Sequence, residues 1–197
     1  MGESIINNFK NDLDYSMEDE IFETFYREKF SNIKEIRFEE NLNKQLKGID
    51  KTIIFNSGYE ITIDEKKRRV DYNDILIELV SNKGTKRQGW LFTTQCDYIA
   101  YAIMPKKTIY LIPTTLLKLA WVENQIKWES NYKRIEAKNK DNNGREFITI
   151  SIPIPIKVLL EGLQKQMVHI VSLGKEIPKT YWEEQLELSK VKAPWED

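Results

Sequence analysis

Cysteine and histidine are almost missing from this chain of 197 residues: Cys96 and His169 stand alone. A single thiol makes no intrachain disulfide and no thiolate zinc site, and points to a reducing compartment. A single imidazole excludes paired-histidine metal sites, and His169 falls in an apolar helical pattern that reads as structural. No apolar run approaches the ~18 residues needed to cross a bilayer. The opening MGESIINNFKNDLDYS has neither the basic region nor the apolar core of a signal peptide. A cytoplasmic protein with no membrane partner is therefore expected. Surplus positive charge is missing too. The net charge is -1 and the pI near 6.0, so any polyanion must be met by local patches rather than by a global field. Repeats and low-complexity linkers do not occur.

Apolar residues make up 41% of the chain, enough for a core, and the length suits one domain. We read residues 1–175 as that domain, with a core over 16–113, a hairpin and helix over 132–172, and a polar tail over 176–197 that carries Trp182 and Trp195. The fold class expected is α/β (α+β), a central mixed β-sheet flanked by helices. Ile21, Phe22, Phe25, Tyr26 and Phe30 recur at helical spacing over Met17 to Phe30. Between Asn32 and Lys47 strand and helix patterns compete. Thr52 to Phe55 and Tyr59 to Lys66 flank the turn Asn56-Ser57-Gly58 and predict a hairpin. Asp74 to Val80 is apolar on both faces, as in a central strand covered on both sides. Ile109 to Ile112 predicts another strand, Leu117 to Trp128 a helix, and the segments around Asp141 to Gly144 a second hairpin. Pro155 opens a last helix.

The stretch Gln45 to Glu78 organises the chemistry. In the second hairpin strand Ile61 and Ile63 face one way, so Thr62, Asp64 and Lys66 share the other. The hairpin also brings Asp50 back towards Asp64. Two carboxylates beside a lysine suit a hard divalent cation. These residues resemble the PD-(D/E)xK, or restriction-endonuclease-like, nucleases, whose core is an Asp, a short hairpin, then an acidic residue, any residue, and Lys. Gly48-Ile49-Asp50, Asp64 to Arg69, Asp74 to Glu78, Gly89-Trp90 and Asp97-Tyr98 are similar in order to a group of small phage and bacterial proteins with that fold. The triplet by itself says little, since about three or four such triplets arise by chance at this composition. The rival Glu136-Ala137-Lys138 lacks an Asp at the right distance upstream.

The resemblance implies a Mg²⁺-dependent nuclease (Mn²⁺ substituting) that hydrolyses phosphodiester bonds, with DNA favoured over RNA, in a bacterial or phage-infected cell. Asp50, Asp64, Lys66 and Glu78 would be catalytic, and Asp50, Asp64 and the Glu65 carbonyl would hold the metal. Gln45, Arg68, Arg69, Lys83, Lys86 and Arg87 would contact substrate, and Glu23 of the first helix would be an accessory acid. Pairing of two protomers stays open. The competing expectation is a catalytically silent module of the same fold, with these acids and Lys66 tied in a salt bridge and action through protein partners.

Overall fold

The computed structural model describes residues 19–140 and 144–172, with side chains to Met167. Helix α1 (19–29) precedes β1 (Ile33–Phe38), the single turn α2 (Leu42–Gln45), and the strands β2 (Lys51–Phe55) and β3 (Glu60–Arg68). There follow β4 (Asp74–Asn82), β5 (Arg87–Gln88), the single turn α3 (Trp90–Thr93), β6 (Tyr98–Ile103) and β7 (Thr108–Pro113). Helix α4 (Thr114–Asn131), β8 (Ile135–Lys140), β9 (Glu146–Pro155) and α5 (Ile156–Ser172) complete the described chain. The mixed sheet flanked by helices is as the composition and periodicity predict. Among the described residues no helix is long and apolar enough to cross a membrane.

The strands divide between two sheets. The first runs β1-β2-β3-β6-β7 and the second β5-β4-β9-β8. In the first, β3 pairs antiparallel with β2 and parallel with β6, so the acidic strand is its centre. One face of this sheet, with Ile53, Ile61, Ile63, Ala100 and Ala102, packs on Phe22 and Tyr26 of α1. The opposite face presents Ile99, Tyr101, Ile103 and Ile112 to a larger core. That core is shared with Ile75, Ile77, Ile152 and Ile154 of the second sheet and with Leu117, Trp121, Trp128, Leu159 and Leu163 of α4 and α5.

Strand β4 corrects one expectation. It is interior to its sheet, yet only Ile75, Ile77 and Leu79 are buried in the core, while Leu76 and Glu78 are half-buried on a face that helices do not cover. Its run of branched residues reads as two covered faces because Leu76 borders a groove rather than bulk water. The competition between Asn32 and Lys47 resolves into β1 and α2. Pro155 ends β9, so α5 starts one residue later, at Ile156. The helix expected from Met17 is described from residue 19, and the turn residues 141–143, the His169 side chain and the tail with Trp182 and Trp195 lie outside the described residues.

Candidate active site

The site begins with a strand that stops early. Strand β2 pairs with β3 only as far as Lys51 opposite Ile63. Asp50 then bends back: its N–H donates to the Ile63 carbonyl at 2.9 Å and its Oδ2 accepts from the Glu65 N–H at 2.8 Å. A strand residue presents its N–H and C=O to the same side, so the Glu65 carbonyl also points into the gap beyond β2 that Asp50 fills. Across β3, Asp64 is fully buried and its Oδ1 accepts from the Lys66 ammonium. Its Oδ2 is buried without a hydrogen-bond partner. Burial pushes the Asp64 carboxyl up, Lys66 opposes that, and the nearby Asp50 charge pushes it up further.

Two glycines make room for this arrangement. Gly48 sits at φ +71°, where a side chain is strained, and a Cβ there would lie 2.8 Å from Asp64 Oδ2 and also strike Thr94. Gly89 crosses β4 so closely that a Cβ would overlap the Glu78 backbone. That crossing sets Trp90 at the start of α3. Its N–H donates to Glu78 Oε1 at 3.3 Å and its ring lies 5.9 Å from Lys66 Nζ. Glu78 and Lys66 thereby line one cavity, and burial raises the Glu78 carboxyl against the pull of Trp90, Lys66 and Arg87.

Comparison with family models, with curated proteins and with solved structures finds no match to this chain.

The acids continue onto the other face of β3. Glu65 points towards α1 and its Oε1 accepts from the Tyr26 hydroxyl at 3.0 Å. Burial lifts Glu65 to about 7, opposed by Lys51 and by the Tyr26 hydrogen bond. Burial, then the Glu65 charge, shifts the Tyr26 phenol upward, so it stays a proton donor. Tyr26 was legible only as one member of an apolar stripe. A tyrosine on a core face carries a polar tip that needs a partner, and that is the signal that points to Glu65. Cys96 bridges Thr94 and Thr114 at 3.2 and 3.3 Å, and burial raises its thiol, as in a packed structural cysteine.

Other residues singled out from the sequence fall in three places. Asp50 accepts from the Glu65 N–H, Asp64 pairs with Lys66, and Glu78 lines the same cavity as Lys66. Arg68 and Arg69 line the cavity beside them, but Arg68 is held by Asp74 at 3.0 Å and lies 4.9 Å from the centroid of the Tyr72 ring. Arg87 lines the adjoining cavity. The rest serve elsewhere. Gln45 donates to the Glu39 carbonyl at 2.7 Å and holds the chain entering Asp50. Lys83 pairs with Glu136 at 2.6 Å, and Lys86 occupies a left-handed turn position at φ 56°. Glu23 is bound by Arg27 at 2.7 Å on the exposed side of α1, so Tyr26, not Glu23, is the α1 residue that reaches the acids. Asp97 accepts from the Thr62 N–H and hydroxyl at 2.7 and 2.8 Å, which pins β6 to β3.

Among the described residues no group of three or more His, Cys, Asp and Glu side chains is placed to hold a metal ion. The donors available are a pair of carboxylates and the Glu65 carbonyl. That set, with one Asp64 oxygen buried and unpartnered, fits a hard cation such as Mg²⁺, which keeps several waters and asks for one or two protein carboxylates.

Proposed function

We propose that this protein is a divalent-metal-dependent nuclease that hydrolyses phosphodiester bonds of DNA, acting in the cytoplasm of a bacterial or phage-infected cell. The observation that carries the reading is the convergence of Asp50, Asp64 and Lys66 at the place where β2 ends, with Asp64 Oδ2 buried and unpartnered. The order of parts resembling PD-(D/E)xK nucleases supports it, because the residues of that resemblance are spatial neighbours here.

In this reading Asp50, Asp64 and the Glu65 carbonyl hold Mg²⁺. When bound, such a cation neutralises charge on the phosphate and lowers the pKa of a coordinated water. Lys66 orients the attacking water and carries positive charge to the reacting phosphate. Glu78, which lines the same cavity as Lys66, helps to direct that ammonium. Arg69 grips a neighbouring phosphate, while Arg68, committed to Asp74, stiffens the end of β3. Purified protein with Mn²⁺ or Mg²⁺ should cut a labelled polynucleotide, and Asp64→Asn and Lys66→Ala should each lose at least ~100-fold of that activity while keeping a cooperative unfolding transition. Undiminished cutting by either variant removes the assignment.

One observation favours a second reading. Lys66 already neutralises Asp64, which has no solvent exposure, and this is how a silent module acting through protein partners would close its acids. The two readings part on metal: a bound ion stabilises the folded state by mass action, and a closed ion pair gains nothing from it.

A further inference from the structure

Two cavities open on the uncovered face of the second sheet. One, of about 590 Å³, starts at Lys66 and passes Trp90 and Tyr101 onto β4, β8 and β9. The other, of about 940 Å³, continues to Arg87 and to the base of the β8–β9 hairpin at Arg145. Both are bordered by Glu78, Asn139 and Thr149, so they form one groove that ends at Lys66, the partner of Asp64. Strand register explains its floor. Ile135 pairs with Ser151, which pairs with Glu78, and Ala137 pairs with Thr149. Glu78, Ile135, Ala137, Thr149 and Ser151 thus share one face, while Ile77, Ile152 and Ile154 of the second sheet turn into the core.

The groove's lining holds six lysines and arginines, of which Lys66, Lys67 and Arg68 pair with Asp64, Asp19 and Asp74, beside Glu78 and Glu146. Cations at the rim, aromatic rings at Trp90 and Tyr72, and a shallow floor match a flexible polyanion whose flat apolar faces are open. A duplex hides those faces in its stack and offers phosphates, sugars and base edges in its grooves. Glu78 in the middle of the floor repels a phosphate but accepts from the exocyclic amino groups of bases, which sets the backbone along the arginine rim with the bases inward.

We infer that this face is a track for a single strand of nucleic acid, which passes Arg87 and Arg145 and presents a phosphate at the Asp64–Lys66 end. What happens at that end rests on the nuclease reading; the track itself does not. The test compares Ala137→Glu with Lys138→Ala. Each lowers the net charge by one, at adjacent exposed positions of β8, but Ala137 borders the groove and Lys138 sits on the opposite face. Fluorescence anisotropy in EDTA, with labelled oligonucleotides of about 12 residues, reads binding without cleavage. Single strands should bind more tightly than duplexes. Ala137→Glu should weaken binding about tenfold, Lys138→Ala less than about twofold, and Arg87→Gln should flatten the salt dependence by ~0.7 in log–log slope. Circular dichroism of each variant confirms that the fold is kept. DNA and RNA versions of the strand distinguish its source, and a preference for either supports the track. Equal affinities for the two β8 variants, tighter binding of duplex, or no binding of any polynucleotide overturns it. If the wild type binds but never cuts with Mn²⁺, the nuclease reading fails and the track stands; if it cuts while Ala137→Glu binds normally, the reverse holds.

Discussion

Glu65 and Asp64 are consecutive residues of one strand that meet opposite fates. Asp64 turns into the space between the sheets and is paired with Lys66, while Glu65 turns towards α1 and accepts from the Tyr26 hydroxyl. Burial therefore lifts Glu65 from its ordinary 4.5 to about 7. The folded chain holds a proton there that the unfolded chain has released, so stability should fall as pH rises from about 4.5 to about 7 and level off above. Below the unfolded value both states are protonated and the cost is absent. Glu65→Gln keeps an acceptor for Tyr26 and removes the titration. In metal-free buffer, its Tm should match the wild type near pH 4.5 and exceed it by several degrees at pH 8, with each kcal/mol worth about 2–4 °C in a chain of this size. A difference that stays constant across that range would reject the burial cause. Nothing in the sequence marks Glu65 as the strained acid of the pair, because the alternation of β3 says which face it takes but not what covers that face.

Elements carry the site through two loops that had to be glycine. At Gly48 the left-handed backbone and the proximity of Asp64 Oδ2 act together, so Gly48→Ala should cost about 2 kcal/mol or more, read as a lower denaturant midpoint with an unchanged m-value. An unchanged midpoint would mean that the α2–β2 turn is softer than described. Asp97→Ala removes two hydrogen bonds to Thr62 at an exposed strand end, a loss of about 1 kcal/mol. Faster amide exchange at Thr62, with little change at Ile53, is the local signature to measure. The motif residues Gly48, Asp50, Gly89 and Asp97 were legible as a series, and the hairpin and its alternation were plain in the spacing of Ile61, Ile63 and the Asn-Ser-Gly turn. The placement of β4 was not. Branched residues on both sides of a strand look the same whether a helix or an open groove lies beyond, and the partner that decides it, β9, is far along the chain. In the basic loop, Lys83 pairs with Glu136 on a neighbouring hairpin, a pairing that no local pattern encodes.

At the scale of the whole molecule, the readings divide on whether divalent ions stabilise the fold. Saturating Mg²⁺ at about 100 times its Kd should add about 2.7 kcal/mol, or roughly 5–10 °C in Tm, and Asp64→Asn should abolish the gain. No shift in the wild type would leave the closed ion pair as the better description. The layered arrangement also ties the acids to distant chain. Strands β3 and β6 lie side by side, yet the segment between them leaves to build half of another sheet, and Asp74 finds its partner only at Pro155. During synthesis the β2–β3 hairpin can close early, on local contacts, whereas the opposing wall waits for β9 to emerge from the ribosome. A nascent protein would thus display its carboxylates with nothing facing them until β9 has been made. Refolding should be correspondingly slow, limited by that late, long-range pairing.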